Sequence, residues 1–290
     1  MPVNDELGKR MKEYYEGIPK TKLMRRTPVA IRIDGKAFHT FTRGFAKPFD
    51  EVLIKSMQET MKYLCENIQG CVLGYTQSDE ITLILVDYKK LNSSAWFDYK
   101  VQKMCSIAAS MATMAFNKFF ADEVNKNYTY LTTTERGCEK IKNVDEFDRL
   151  FNNYFSKIGS AMFDARVFNI PKEEVTNLIY WRQLDATRNS IQMVGQANFS
   201  HKELQNKSCN MIQDMLMTEK GINWNDYPTY LKRGSCCVKN HIITEPYGSR
   251  MLVKDKPDYA WVIDRDIPIF KDEGREYIDE LIFIEEYNEW

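Results

Sequence analysis

The chain of 290 residues is 43% hydrophobic and 28% charged, globular values that exclude a disordered or fibrous protein and suffice for a sizeable core. Seven cysteines without a C-x-x-C pair, three histidines, no signal sequence and no long uncharged span exclude a disulfide framework, a zinc site and a membrane protein, leaving a cytoplasmic chain with free thiols as the expectation. The net charge of −1 divides unevenly: residues 261–290 hold three basic and ten acidic side chains, which leaves +6 on the first 260 and permits an RNA partner.

Residues 1–24 read as an amphipathic helix ending in a basic cluster, Lys22 to Arg26, that is either a solvated cap or a phosphate contact. The run VAIRIDGKAFHTF comes next. Its alternation over Pro28 to Asp34 predicts a strand that delivers Asp34 to its carboxyl end and turns at Gly35. After a loop through Lys47-Pro48-Phe49, Asp50 is placed to cap a helix in which Val52, Met57, Met61, Leu64 and Ile68 share a buried face. Gly70 stops it.

The segment GYTQSDEITLILV brackets the polar group Gln77-Ser78-Asp79-Glu80 with apolar residues, the pattern of a β-hairpin with a second acid, Asp79, at its bend. If the two strands are neighbours, Asp34 and Asp79 converge. Convergent carboxylates repel unless a cation lies between them, and Mg²⁺ combines a few carboxylates with substrate phosphates, so the pair outlines a two-metal phosphoryl-transfer site.

A second helix is expected from Trp96 to Phe120, then a polar helical insertion over 121–160, then a strand from Ala161 to Asn169 stopped by Pro171. Strand, helix, strand, strand, helix, strand is the ferredoxin-like βαββαβ order of an α+β polymerase-type palm domain, assigned here to residues 1–170. The remainder, 171–290, reads as a helical and mixed C-terminal part packed on the palm as one structural unit. It opens with a long helix on which Trp181, Leu184, Arg188 and Ile191 line one side, continues helical over 200–232 with a loop at Gly221 to Tyr227, and ends in a strand-like CCVKN and a tail of a short strand with a surface helix. Palm folds serve several chemistries, so a nucleotidyl cyclase or dinucleotide synthase, and a non-catalytic tRNA-binding module, stand beside polymerase chemistry at this stage.

The segments RIDGKAFHTF, FAKPFD, YTQSDE, AWFDYKVQK, FDARVF, YWRQLDATRN and YLKRGS follow one another, over about residues 5–240, in the order and spacing of tRNA(His) guanylyltransferases and their like-proteins, the 3′-to-5′ polymerases, and the chain resembles that family. The resemblance implies an enzyme that uses two Mg²⁺ ions to activate a tRNA 5′ end with ATP and then lets the 3′-hydroxyl of GTP attack, acting in the cytoplasm as a homo-oligomer, commonly a tetramer. Carried over, Asp34 and Asp79 match the catalytic, metal-ligating carboxylates and Gly35 a metal-binding carbonyl. Asp34, Gly35, Lys36, Ala37, Phe38 and His39 match the triphosphate loop, with Ser78 beside the second acid and Lys47, Lys100 and Lys103 as basic nucleotide contacts.

Glu80 is either a general base or outer-shell group, or a strand residue that points away by alternation. Arg182, Gln183 and Asp185 either form a polar network or touch tRNA, and Lys232 and Arg233 offer a basic loop for RNA. One departure counts: the eukaryotic His-Ile-Asn-Asn run after W-R-Q-x-D reads Thr187, Arg188, Asn189, Ser190 here, so only the first Asn survives. Threonine cannot replace imidazole as a proton carrier, and the like-protein branch, which repairs truncated tRNA 5′ ends against a template, is the better match.

Overall fold

The computed structural model describes residues 6–17, 19–241 and 259–284. In chain order these form α1 (Glu6–Met11), β1 (Val29–Gly35), α2 (Phe38–Phe41), α3 (Glu51–Asn67), β2 (Cys71–Gln77), β3 (Glu80–Leu85), α4 (Val101–Thr133), α5 (Glu135–Cys138), α6 (Val144–Lys157) and β4 (Phe163–Asn169). They continue with α7 (Lys172–Asn198), α8 (His201–Leu204), α9 (Cys209–Lys220), α10 (Thr229–Arg233), β5 (Ser235–His241), β6 (Tyr259–Asp264) and α11 (Glu276–Ile282).

The strands make one six-stranded sheet in the order β4-β1-β3-β2-β5-β6, every neighbouring pair antiparallel. The first four are the ferredoxin-like set, and β5 adds to the β2 edge. Strand alternation divides the core in two. Ile31, Ile33 and Leu83 meet Met57, Met61 and Leu64 of α3 and Met104, Ala108 and Phe116 of α4 on one face. Ala30, Tyr75 and Ile84 meet Val175 and Ile179 of α7 and Ile278 and Ile282 of α11 on the other.

Several expectations are corrected. Over the described part of residues 1–24, helix extends only through α1 and one wider turn at Lys12–Glu16, with no buried residue to anchor more, and Pro19 bars continuation. Residues 21–23 instead run beside the start of α4, with the Leu23 amide donating to the Tyr99 carbonyl at 3.0 Å. The basic cluster is tied to acids there: Lys22 pairs with Asp98 and Arg25 with Asp87.

Trp96–Tyr99 is a separate tight turn with Phe97, Asp98 and Tyr99 at positive φ, and α4 then runs 33 residues, so that 121–133 belong to it and not to an insertion. Beyond Phe120 only Val124 of α4 is buried, because the partners there are the short α5, whose Gly137 lies against Tyr130 and Leu131, and α6, through Tyr128 against Phe147, Phe151 and Phe155; contacts away from the sheet leave little periodicity to read. On α7, Trp181, Leu184 and Arg188 do share a side, but it faces solvent; Ile191 belongs to the buried set with Ile179, Arg182, Gln183 and Val194. Nor is α11 a surface helix, since Ile278 and Ile282 are fully buried.

Candidate active site

Asp34 is the penultimate residue of β1, and the register sets it opposite Glu80 of β3 on one side and Asp164 of β4 on the other. Residues opposite one another share a sheet face, so three acids stand in a row across three strands. Asp79 joins them from the β2–β3 turn. Gln77 and Glu80 close that turn as a pair, Ser78 takes φ of +51° as two-residue hairpins require at the first position, and the Gly35 amide donates to the Asp79 carbonyl at 3.1 Å. The hairpin is thereby clamped to the end of β1.

This crowding has an electrostatic signature. Burial, then the charges of Glu80 and Asp164, push the Asp34 carboxyl above the ordinary aspartate range. Burial, then Asp34 and Glu80, do the same to Asp79, against a hydrogen bond from Ser78 Oγ at 3.0 Å.

Glu80 does not point away: alternation along β3 separates it from its neighbour Asp79, but the cross-strand register returns it to the face of Asp34. It is neutralised there by Arg32 at 2.9 Å and Arg182 at 2.5 Å, with Gln77 Nε2 donating at 3.1 Å. Asp34 and Asp79 make no ion pair among the described residues, so their repulsion is left for something else to relieve.

The segment after β1 becomes a cleft wall because apolar pegs alternate with polar residues. Phe38, Phe41 and Phe45 insert into a ring cluster with Phe116, Phe120 and Phe163. Asp50, the expected cap, accepts from the amides of Leu53 and Ala46, each at 2.9 Å, and from the Tyr154 hydroxyl at 2.5 Å. His39, Arg43 and Lys47, between the pegs, are exposed and line a cleft of about 740 Å³. The first turn of α2 leaves the amides of Phe38 and His39 without intrahelical acceptors. The Lys36 amide is already taken by the Met162 carbonyl at 2.9 Å.

Of the expected nucleotide contacts, Gly35, Ala37, Phe38, His39, Lys47, Ser78 and Asp79 line this cleft. Asp34 and Lys36 stand just outside its lining, Asp34 on the neighbouring sheet face. Lys100 and Lys103 lie apart from these within the one chain. They open α4 at the end of the sheet where β1 begins, Lys100 bridged to Lys22 and Lys103 over the Phe97 ring at 4.6 Å, about 20 Å of strand from Asp34.

Arg182 and Asp185 form a network, 2.9 Å apart, that Arg188 joins at 2.5 Å and Asn189 at 3.4 Å. Gln183 is spent on the chain itself, donating to the Pro268 carbonyl at 2.8 Å and accepting from the Phe270 amide at 3.0 Å. Lys232 turns inward: its ammonium donates to the Asn225 carbonyl at 2.5 Å over the Trp224 ring, and burial lowers its pKa. Arg233 is half-buried.

Asn189 lines the cleft from α7 together with Ala186, Met193 and Gln196. Sequence reasoning passed over Arg43, which the recurrence of Phe every few residues could have exposed as the polar residue between pegs. It also passed over Asp164 and Arg32, whose place beside the acids depends on strand order.

No three His, Cys, Asp or Glu side chains among the described residues gather at metal-binding distance. Two carboxylates alone do not make the closed ligand cage of a structural zinc or calcium site.

A ferredoxin-like sheet with paired acids at the end of β1 and in the adjoining hairpin, opening on a basic cleft, defines a palm-type nucleotidyltransferase. The family model described as tRNAHis guanylyltransferase matches residues 8–171, and the chain belongs to that family. A tRNA(His) guanylyltransferase of Saccharomyces cerevisiae is 27% identical over 225 residues, 73% of this chain and 82% of the relative. A bacterial tRNA(His) guanylyltransferase (Thg1)-like protein solved in complex with ATP is 38% identical with a TM-score of 0.76, covering 96% of this chain and 99% of that one. The structure described as its complex with GTP aligns at 35% identity and a TM-score of 0.68 with the same coverage.

Proposed function

We propose that the chain is a Mg²⁺-dependent 3′-to-5′ nucleotidyltransferase adding nucleotides, guanosine foremost, to the 5′ end of tRNA. The observation that carries this reading is the clamp from the Gly35 amide to the Asp79 carbonyl at 3.1 Å, which holds two carboxylates without ion-pair partners among the described residues at the mouth of a cleft of nucleotide size. The donor set fits the metal: Asp34, Asp79 and the Gly35 carbonyl are hard oxygens, and the two acids repel until a cation joins them. Bound there, Mg²⁺ would neutralise charge building on the phosphates.

The chain's own residues supply the rest. Lys47, Arg43 and His39 surround a triphosphate with positive charge and donors, the α2 amides adding to them, while Ala186, Met193 and Asn189 offer a base an apolar wall with one polar group. In the first step the RNA 5′-monophosphate attacks the α-phosphorus of ATP and pyrophosphate leaves. In the second the 3′-hydroxyl of GTP attacks the RNA 5′-phosphorus, AMP leaves, and the hydroxyl proton passes to solvent. Relatives solved with ATP and with GTP support a cleft that takes each in turn.

Templated repair of shortened 5′ ends is the favoured branch. At the positions of the eukaryotic run, the Thr187 hydroxyl donates to the Gln183 carbonyl, Arg188 pairs with Asp185, and the Ser190 hydroxyl accepts from Trp224 Nε1, so that of the four only Asn189 and the already bonded Ser190 line the cleft. A homo-oligomer, a tetramer in the family resemblance, would let the Lys100 and Lys103 end of one copy reach substrate held by another.

The test is a 5′-labelled tRNA lacking its first nucleotide, incubated with ATP, the four nucleoside triphosphates and Mg²⁺. A ladder of longer products is expected from the wild type and none from Asp79→Ala. A folded wild type that yields no ladder refutes the proposal.

A further inference from the structure

Where β1 and β4 approach the acid end, the α7 face of the sheet lies open: the side chains of Asp164 and Arg166 are 59% and 63% exposed. Over this shelf stands Trp181 of α7, an indole left 51% exposed. Two guanidiniums hold it, that of Arg182 at 4.5 Å from the ring centroid and that of Arg32 at 5.3 Å. Both arginines are fixed in turn by Glu80, the residue in register with Asp34. The indole is thus tied through both arginines to the residue opposite Asp34, yet about half of its surface is left to water.

The two acids differ in their surroundings. Asp79 lines the nucleotide cleft, whereas Asp34 lies on the shelf side of the sheet. With a nucleotide in the cleft, a second reactant reaches the acids from the shelf. That reactant has phosphate for Arg166, whose ion-pair partner among the described residues is the exposed Asp164 at 3.8 Å, and a flat base for the indole, and aromatic rings set among arginines are how proteins hold terminal or unpaired bases.

We propose that Trp181 is the stacking platform for the base at the 5′ end of the RNA substrate and so holds the 5′-phosphate against Asp34. The inference rests on the function proposed above and adds to it the residue that receives the RNA end.

The test uses the full chain and a tRNA carrying 2-aminopurine as its 5′-terminal base. Wild-type protein should quench the probe on binding. Trp181→Ala should lose the quench and raise KM for the RNA roughly 5- to 100-fold with KM for GTP unchanged, while Trp181→Phe keeps most of both.

If the wild type extends the RNA but Trp181→Ala does so with unchanged quench and unchanged KM, the stacking is wrong and the function stands. If Trp181→Ala alters the sedimentation of the protein along with its RNA affinity, the indole belongs to a contact between copies and the inference is overturned. A wild type that neither binds nor extends the RNA overturns both readings.

Discussion

Burial first, and then the neighbouring acids, raise the carboxyl pKa of Asp34 and Asp79 on folding. For an acid whose pKa is raised by folding, the native state binds the proton more tightly than the unfolded chain. Stability is therefore lost as pH rises from the unfolded value through the folded one. Asp79→Asn should abolish the repulsion together with the metal site. Activity is expected to fall on the order of 10³-fold or more, while the melting temperature of the metal-free protein at pH 7 stays level or rises. Magnesium should raise the wild-type melting temperature at pH 7.5, less at pH 5 where protons compete, and not at all in the variant. Calorimetric scans at the two pH values check all of this, and a variant that melts well below wild type would show that these acids hold the fold together. Gly35 makes a complementary case, since a Cβ there would meet the Phe38 ring at 2.2 Å, a ring that cannot retreat because Phe41, Phe116 and Phe163 surround it. Gly35→Ala should cost about 1–3 kcal/mol in denaturant unfolding and displace the cleft wall, raising KM for GTP. The acids and this glycine are legible in the sequence because a strand end and a turn are local events. The side of Glu80 is not, because it depends on which strand lies opposite.

Elements were legible wherever a full apolar face met the sheet. The Asp50 cap, α3 and the β2–β3 hairpin all declare themselves by periodicity bounded by a polar residue or a glycine. By contrast α4 overruns its expected end because its last turns lean on α5 and α6 and not on the sheet, and Lys100 and Lys103 could not be placed until the direction of α4 relative to β1 was known. Asp50 shows how one local signal acquires a distant duty. Its side chain caps α3, ties the Ala46 amide and receives the Tyr154 hydroxyl of α6, all at 5% exposure. Asp50→Ala removes a cap, frees the Ala46 amide and strands the buried Tyr154 hydroxyl, an expected cost of about 2–3 kcal/mol. Asp50→Asn retains the cap through its one acceptor oxygen and should lose less. Because the same residue pins the loop bearing Lys47, Asp50→Ala should also weaken nucleotide binding measured by calorimetry. Equal binding by both variants at a temperature where both are folded would uncouple the loop from its anchor.

Across the whole molecule, the palm sheet continues into the C-terminal part. Strand β5 pairs with β2 through Thr76 opposite Ser235, and Gln58 of α3 donates to the Ser235 hydroxyl at 2.8 Å and accepts from Arg265 at 2.7 Å. Gln183 of α7 is bonded on both sides to the Pro268–Phe270 segment, whose Phe270 is fully buried against Tyr75 of the sheet. We propose on this ground that residues 1–170 and 171–290 unfold together. Phe270→Ala empties a site shared by the two parts, at an expected cost of about 3–5 kcal/mol and a fall in melting temperature on the order of 10 °C. If the parts are one cooperative unit, calorimetry and circular dichroism will move by the same amount in a single transition, and Mg²⁺ bound at Asp79 will stabilise the C-terminal part against proteolysis as well as the palm. Two resolved transitions, with only the lower one shifted by Phe270→Ala, would mean that the palm holds its acids in place without help from β5, β6 and α11.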